Sequence, residues 1–137
     1  MNKLSSILLV DDDKTTNFLN RLLLEDLAVA NQVLVAENGR EALRLVEQQD
    51  KAGACPPLIL LDINMPVMSG FEFLEAYMRT EVSCKQPTVI IMLTTSLNPR
   101  DVSRLDAMPI QGLLSKPLTR QKIQDLLHQH FQQELPA

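Results

Sequence analysis

The stretch Leu58-Ile59-Leu60-Leu61-Asp62-Ile63-Asn64-Met65-Pro66-Val67-Met68-Ser69-Gly70 decides the fold. Its first four residues make an unbroken apolar run of strand length, and Pro66 and Gly70 mark a loop. A strand that is apolar at every position is buried on both faces, as happens when helices cover both sides of a parallel sheet. Asp62 is then a carboxylate at the carboxyl end of a core strand, on the rim where open α/β sheets bind ligands. A second run repeats the pattern, with Ile7-Leu8-Leu9-Val10 leading straight into Asp11-Asp12-Asp13.

Outward from these runs, strand-like and amphipathic segments alternate as five βα units. Strands are expected near residues 6–10, 32–36, 58–61, 89–93 and 112–115. The first helix is expected to turn Phe18, Leu22, Leu23 and Leu27 inward. Asn38 with Glu41 caps the second, whose apolar face is Ala42, Leu45 and Val46. Ser69 with Glu72 caps the third, with Phe71, Leu74 and Met78 inward. Asn98-Pro99 starts a fourth, and Thr119 caps a last helix carrying Ile123, Leu126, Leu127 and Phe131.

Right-handed crossovers leave few topologies for such a chain. Among known five-stranded folds the leading choice is the flavodoxin-like order 2-1-3-4-5, an α/β three-layer sandwich around a parallel sheet. That order sets the ends of strands 1 and 3 side by side, so Asp11 and Asp12 share one crevice with Asp62.

At 137 residues the chain reads as one domain, 1–137, with a core of about 5–131, a polar tail and no output domain. Net charge is −4, and no Lys/Arg cluster is present, a poor balance for nucleic-acid binding. No apolar stretch approaches the roughly 18 residues of a membrane span, so no membrane insertion is expected. The first residues lack a signal peptide's apolar segment, which favours the cytoplasm. Cys55 and Cys84 show no CxxC spacing and are expected as free thiols.

The four polar strand ends are Asp11-Asp12, Asp62, Thr94-Thr95-Ser96 and Ser115-Lys116-Pro117. Parallel strands would put them all on one rim. Clustered carboxylates repel one another, so ionising all of them calls for a cation. Mg²⁺ suits the site, because it takes one or two carboxylates and fills its octahedron with waters and phosphate oxygens. A carboxylate is also a competent phosphoryl acceptor. The Lys116 ammonium and the Thr94 hydroxyl can serve the oxygens of a transferring phosphoryl group.

These four motifs, in order and at βα-unit spacing, resemble the response regulator receiver domain, in particular the single-domain, chemotaxis (CheY-like) type. The resemblance runs from strand 1 to the loop after strand 5. It implies Asp62 as phosphoacceptor, and Mg²⁺ (with Mn²⁺ as a substitute) held by Asp11, Asp12, Asp62 and the Asn64 backbone carbonyl. It implies Thr94, with Thr95 beside it, and Lys116 as phosphate-contacting or switch residues, and a cis peptide bond before Pro117. Three positions before Lys116, where many receivers carry an aromatic switch residue, this chain has Leu113. The implied donor is a sensor histidine kinase or a histidine phosphotransfer protein. A downstream protein would read the face of helix 4, strand 5 and helix 5. Such a domain is not an enzyme in its own right, although it takes part in its own phosphorylation and dephosphorylation.

Two other readings compete. Asp11-Asp12-Asp13-Lys14-Thr15 fits the DxDxT pattern of haloacid-dehalogenase-like phosphatases, with Asp11 as nucleophile and Asp13 as general acid. A receiver-like scaffold that is never phosphorylated is the third. Asp13 also reads as a plain helix N-cap, and Thr95 as ordinary strand filling.

Overall fold

The apolar runs pair with one another as parallel strands. The computed structural model describes residues 3–63, 65, 67–80, 88–94, 108 and 110–132. The strands are β1 (Ile7–Val10), β2 (Val33–Ala36), β3 (Leu58–Asp62), β4 (Val89–Thr94) and β5 (Gly112–Ser115). They form one sheet in the order β2-β1-β3-β4-β5, all parallel. The helices are α1 (Lys14–Asp26), α2 (Gly39–Lys51), α3 (Gly70–Arg79) and the last helix (Arg120–Phe131). The helix expected from Asn98-Pro99 lies outside the described residues.

Alternation along the strands splits the core in two. Leu8, Val10, Ile59, Leu61, Ile90 and Met92 face one layer with Ala42 and Val46 of α2 and Phe71, Phe73, Leu74 and Tyr77 of α3. Ile7, Leu9, Leu58, Leu60, Ile91 and Leu93 face the other, with Leu24 of α1 and Ile123, Leu126 and Leu127 of the last helix. Both faces of the three inner strands are therefore dry, which is why their sequences show no polar alternation. The register sets Val10 beside Leu61, so Asp11 and Asp62 leave the sheet one step further along, at the same height.

Three expectations are corrected. On α1 the inward stripe is Asn17, Asn20, Leu24 and, just past the helix, Leu27, while Phe18 and Leu22 are exposed. Two bonds fix the helix's rotation: Asp13 caps its start by accepting from the Thr15 amide, and Asn17 Nδ2 donates to the Asp11 carbonyl at 2.8 Å. Phe18 and Leu22 lie about 140–180° round from the centre of that buried stripe, whereas Leu23 still packs against the core layer. On α3, Met78 is half exposed, and Phe73 and Tyr77, stacked with centroids 5.6 Å apart, join Phe71 and Leu74 inside. Cys55 is disulfide-bonded rather than a free thiol; the chain's other cysteine, Cys84, lies outside the described residues. Sequence spacing says nothing about whether two thiols meet in space.

Candidate functional site

At the carboxyl rim the chain concentrates charge. Asp11, Asp12 and Asp62 each offer an oxygen, all within 4.8 Å of one another. Asp11 and Asp62 are buried and Asp12 is exposed. Lys116 reaches in from the loop after β5, its Nζ 2.6 Å from Asp11 Oδ2 and 3.0 Å from Asp62 Oδ1. The crevice thus holds three carboxylates, two of them bonded to one ammonium.

Local structure fixes each member. Asp11 is held by its amide on Ala36 O (3.1 Å), by its carbonyl on Asn17 Nδ2, and by Oδ1, which accepts from the Asp13 amide at 2.9 Å. Asp62 is the last residue of β3, level with Leu93 of β4. Behind it α3 begins very close: a Cβ on Gly70 would fall 2.5 Å from the Asp62 carbonyl oxygen. Thr94, buried at the end of β4, is level with Ser115, and its carbonyl accepts from the Lys116 amide at 2.7 Å. The Lys116–Pro117 peptide bond is cis. Leu113 is level with Met92 and packs against the core layer of α2 and α3.

Burial and proximity set the electrostatics. The Asp62 carboxyl is pushed up, first by burial and then by the charges of Asp11 and Asp12, against the opposing pull of Lys116. Burial opposes the charge on Lys116, but its bonds to Asp11 and Asp62 outweigh it and raise the ammonium's pKa. Asp13 is lowered by the Thr16 hydroxyl and the Thr15 amide.

The donor set fits a small hard cation. Bonds of about 2.1 Å to Mg²⁺ hold adjacent ligand oxygens about 3 Å apart and opposite ones about 4.2 Å apart. Small side-chain rotations, or one intervening water, close a 4.8 Å spread to those distances. Asn64, Thr95 and Ser96 lie outside the described residues.

Three features of the site carry little or no sequence signal. Asn17 and its bond to the Asp11 carbonyl leave only a faint trace, an asparagine at an inward helical position. Lys122 belongs to no motif, yet its ammonium bonds the backbone on either side of Lys116. The third is a groove of about 490 Å³ between α1 and the loop after β5, lined by Thr16, Leu19, Asn20, Leu23, Lys116, Pro117 and Leu118. Beside it, Phe18, Leu19 and Leu22 are 61%, 56% and 48% exposed.

With this fold and rim the chain matches the response regulator receiver domain family over residues 7–128. It belongs to that family. It is 30% identical over 128 residues to the probable chemotaxis protein CheY of Rhizobium etli, covering 91% of each chain. It is 32% identical over 121 residues to the sensor histidine kinase AruS of Pseudomonas aeruginosa, covering 88% of this chain. A two-component response regulator from Cytophaga hutchinsonii superposes with a TM-score of 0.86 at 28% identity, covering 96% of this chain and all of that one. The chain spans 11% of the Pseudomonas kinase's length and less than half of two further curated relatives.

Proposed function

We propose that this chain is a phosphoacceptor switch in two-component or phosphorelay signalling, with Asp62 receiving the phosphoryl group. One observation carries the reading: a single ammonium, Lys116 Nζ, contacts both Asp11 and Asp62 inside a three-carboxylate crevice. That arrangement can hold a metal and a phosphoryl group side by side. In the transfer, an Asp62 oxygen forms the new O–P bond. The P–N bond of a donor phosphohistidine breaks, and its electron pair stays on the imidazole nitrogen.

Mg²⁺ would be held by Asp11, Asp12, Asp62 and the Asn64 carbonyl, and Mn²⁺, which favours the same oxygen donors, can replace it. When bound, it would neutralise charge on the phosphoryl oxygens. Lys116 would turn from Asp11 toward those oxygens, and the Thr94 hydroxyl, with Thr95 next to it, would supply further donors.

A sensor histidine kinase or histidine phosphotransfer protein is the proposed partner. Its imidazole must approach Asp62, so its surface must touch the elements ringing the mouth. The exposed apolar side of α1 and the adjoining groove supply that contact. A downstream protein would read the face that includes β5 and the last helix. With Leu113 in place of an aromatic, the signal there would run through Thr94 and the chain following β4. No nucleic acid or membrane takes part in this reading, and its setting is the cytoplasm. No described helix is long and apolar enough to cross a membrane.

The phosphatase alternative loses its general acid, because Asp13 is committed to the Thr15 amide (3.1 Å) and the Thr16 hydroxyl (2.7 Å). Acetyl phosphate with Mg²⁺, followed by trapping and mapping of the adduct, tests the assignment. Label on Asp62 that disappears in Asp62→Asn is expected. Label on Asp11 would establish the phosphatase, and no label under any condition the scaffold.

A further inference from the structure

The last helix opens with a residue that its own electrostatics disfavour. Thr119 is the N-cap and accepts from the Lys122 amide, which puts Lys122 at the third helical position. A helix N-terminus carries partial positive charge, and a glutamate or glutamine is favoured at this position. The same chain uses the favoured chemistry elsewhere, where Ser69 and Glu72 close a full capping box on α3. At the last helix it places an ammonium instead, and no acidic residue occupies the first turn.

That ammonium has a specific destination. Lys122 Nζ donates to Ser115 O at 2.7 Å, to Pro117 O at 2.9 Å and to Ser115 Oγ at 3.2 Å. An ammonium has three protons, so its donors are used in full. All three acceptors belong to the residues on either side of Lys116. We infer that Lys122 is a positioning residue: it clamps the Ser115–Pro117 loop and thereby fixes the aim of Lys116 into the carboxylate crevice. The clamp works with a second anchor, the Lys116 amide on Thr94 O, which ties the same loop to β4. Lys116 then swings only its side chain between Asp11 and an incoming anion, from a root held on two sides. This inference rests on the phosphoacceptor reading for its effect on rate, but not for its effect on geometry.

The test uses Lys122→Met, which keeps the aliphatic stem and removes the donors, and Lys122→Gln, which keeps two N–H donors without the charge. Acetyl phosphate labelling should slow by about tenfold in Lys122→Met and less in Lys122→Gln, since positioning of a reacting group is being relaxed. Mg²⁺ affinity by calorimetry should not fall, because no metal ligand is altered, and should rise only modestly as a less firmly aimed Lys116 competes less well for Asp11. In a Lys116→Met background, adding Lys122→Met should slow labelling no further, the non-additivity expected of two residues acting as one unit. The Lys116 ammonium signal in ¹H–¹⁵N spectra of metal-free protein should broaden or shift in Lys122→Met. Unchanged labelling together with a lower melting temperature would make Lys122 a helix-stability residue and overturn the inference. So would an unchanged Lys116 signal, which decides the matter even where the wild type takes no label. An unlabelled wild type, by itself, would count against the phosphoacceptor reading alone.

Discussion

Lys116 Nζ is bonded to Asp11 Oδ2 at 2.6 Å, more tightly than to the nearby Asp62 at 3.0 Å. The lysine therefore brings its positive charge to both carboxylates at once. It offsets the repulsion between two buried carboxylates, and its place on Asp11 overlaps the proposed metal's.

Lys116→Met should accordingly weaken the metal-free fold while strengthening metal binding. Loss of a partly buried charged partner costs about 1–3 kcal/mol. Mg²⁺, freed from competition, should bind several-fold more tightly. Urea denaturation with chelator and calorimetry with Mg²⁺ read the two effects. Weaker Mg²⁺ binding in the variant would show that the lysine helps the metal rather than competing with it.

The pH dependence has a definite sign. Burial, with the charges of Asp11 and Asp12, raises the Asp62 pKa above its unfolded value of 3.8. The folded state thus binds the Asp62 proton more tightly than the unfolded one, and ionisation erodes stability as pH rises from 3.8 through the folded value. Lys116 acts on the alkaline limb: its raised pKa gives stability that is present below 10.5 and lost as pH climbs through the folded value. Asp62→Asn in chelator should be more stable than wild type at about pH 7 and should lose the acid-limb decline. Urea midpoints against pH are the measurement, and parallel curves for the two proteins would refute the assignment.

Asp12 is the exposed member of the cluster. Mg²⁺ should raise the wild-type melting temperature by simple linkage. Asp12→Asn should raise the metal-free melting temperature and abolish the Mg²⁺ response. A variant that melts lower yet still responds to Mg²⁺ would remove Asp12 from the ligand set.

Phe18→Ser with Leu22→Ser separates donor docking from chemistry. Both side chains are about half exposed or more, so stability should change by less than about 0.5 kcal/mol each. Labelling by acetyl phosphate should be unaffected. Transfer from a phosphorylated histidine protein should fall about tenfold or more, the loss typical of truncated interface anchors. Equal transfer rates would place the donor's contact elsewhere.

Gly70→Ala probes the packing behind Asp62. The added methyl would meet the Asp62 carbonyl oxygen at 2.5 Å and Ile63 Cα at 3.1 Å, both backbone atoms. Overpacking of this kind costs about 1–3 kcal/mol. Chemical denaturation should show that loss, together with slower labelling as Asp62 is displaced. A neutral outcome would mean that α3 can retreat freely from β3.

The acidic rim was legible because parallel strands buried on both faces announce themselves as unbroken apolar runs, and the residue that ends each run must sit on one edge. The fold's order needed knowledge of other folds, since crossover rules alone do not choose it. Helix faces were legible only where apolar spacing and burial agree, as at Ile123, Leu126 and Leu127. On α1 they part: Asn17 goes inside for a hydrogen bond to the Asp11 carbonyl, and Phe18 stays outside, so hydrophobicity pointed to the wrong stripe. Lys122 is silent in the sequence because a lysine six residues from Lys116 gains meaning only when the helix capped by Thr119 brings its ammonium onto the Ser115 and Pro117 carbonyls.

The loop after Asp62 has one further tie. The Gly39 amide, at the first position of α2, donates to Met68 O at 3.2 Å, and a Cβ on Gly39 would lie 2.9 Å from that same oxygen. Val67, just before it, holds a left-handed φ of 68° that a β-branched residue adopts only under constraint. The loop is therefore stitched at one end to a helix outside its own βα unit and wound against its own preference. Any travel of Met68 must either snap that stitch or tug the first turn of α2. The chain thus has a direct mechanical linkage from the loop after Asp62 to the flank of the sheet opposite β5.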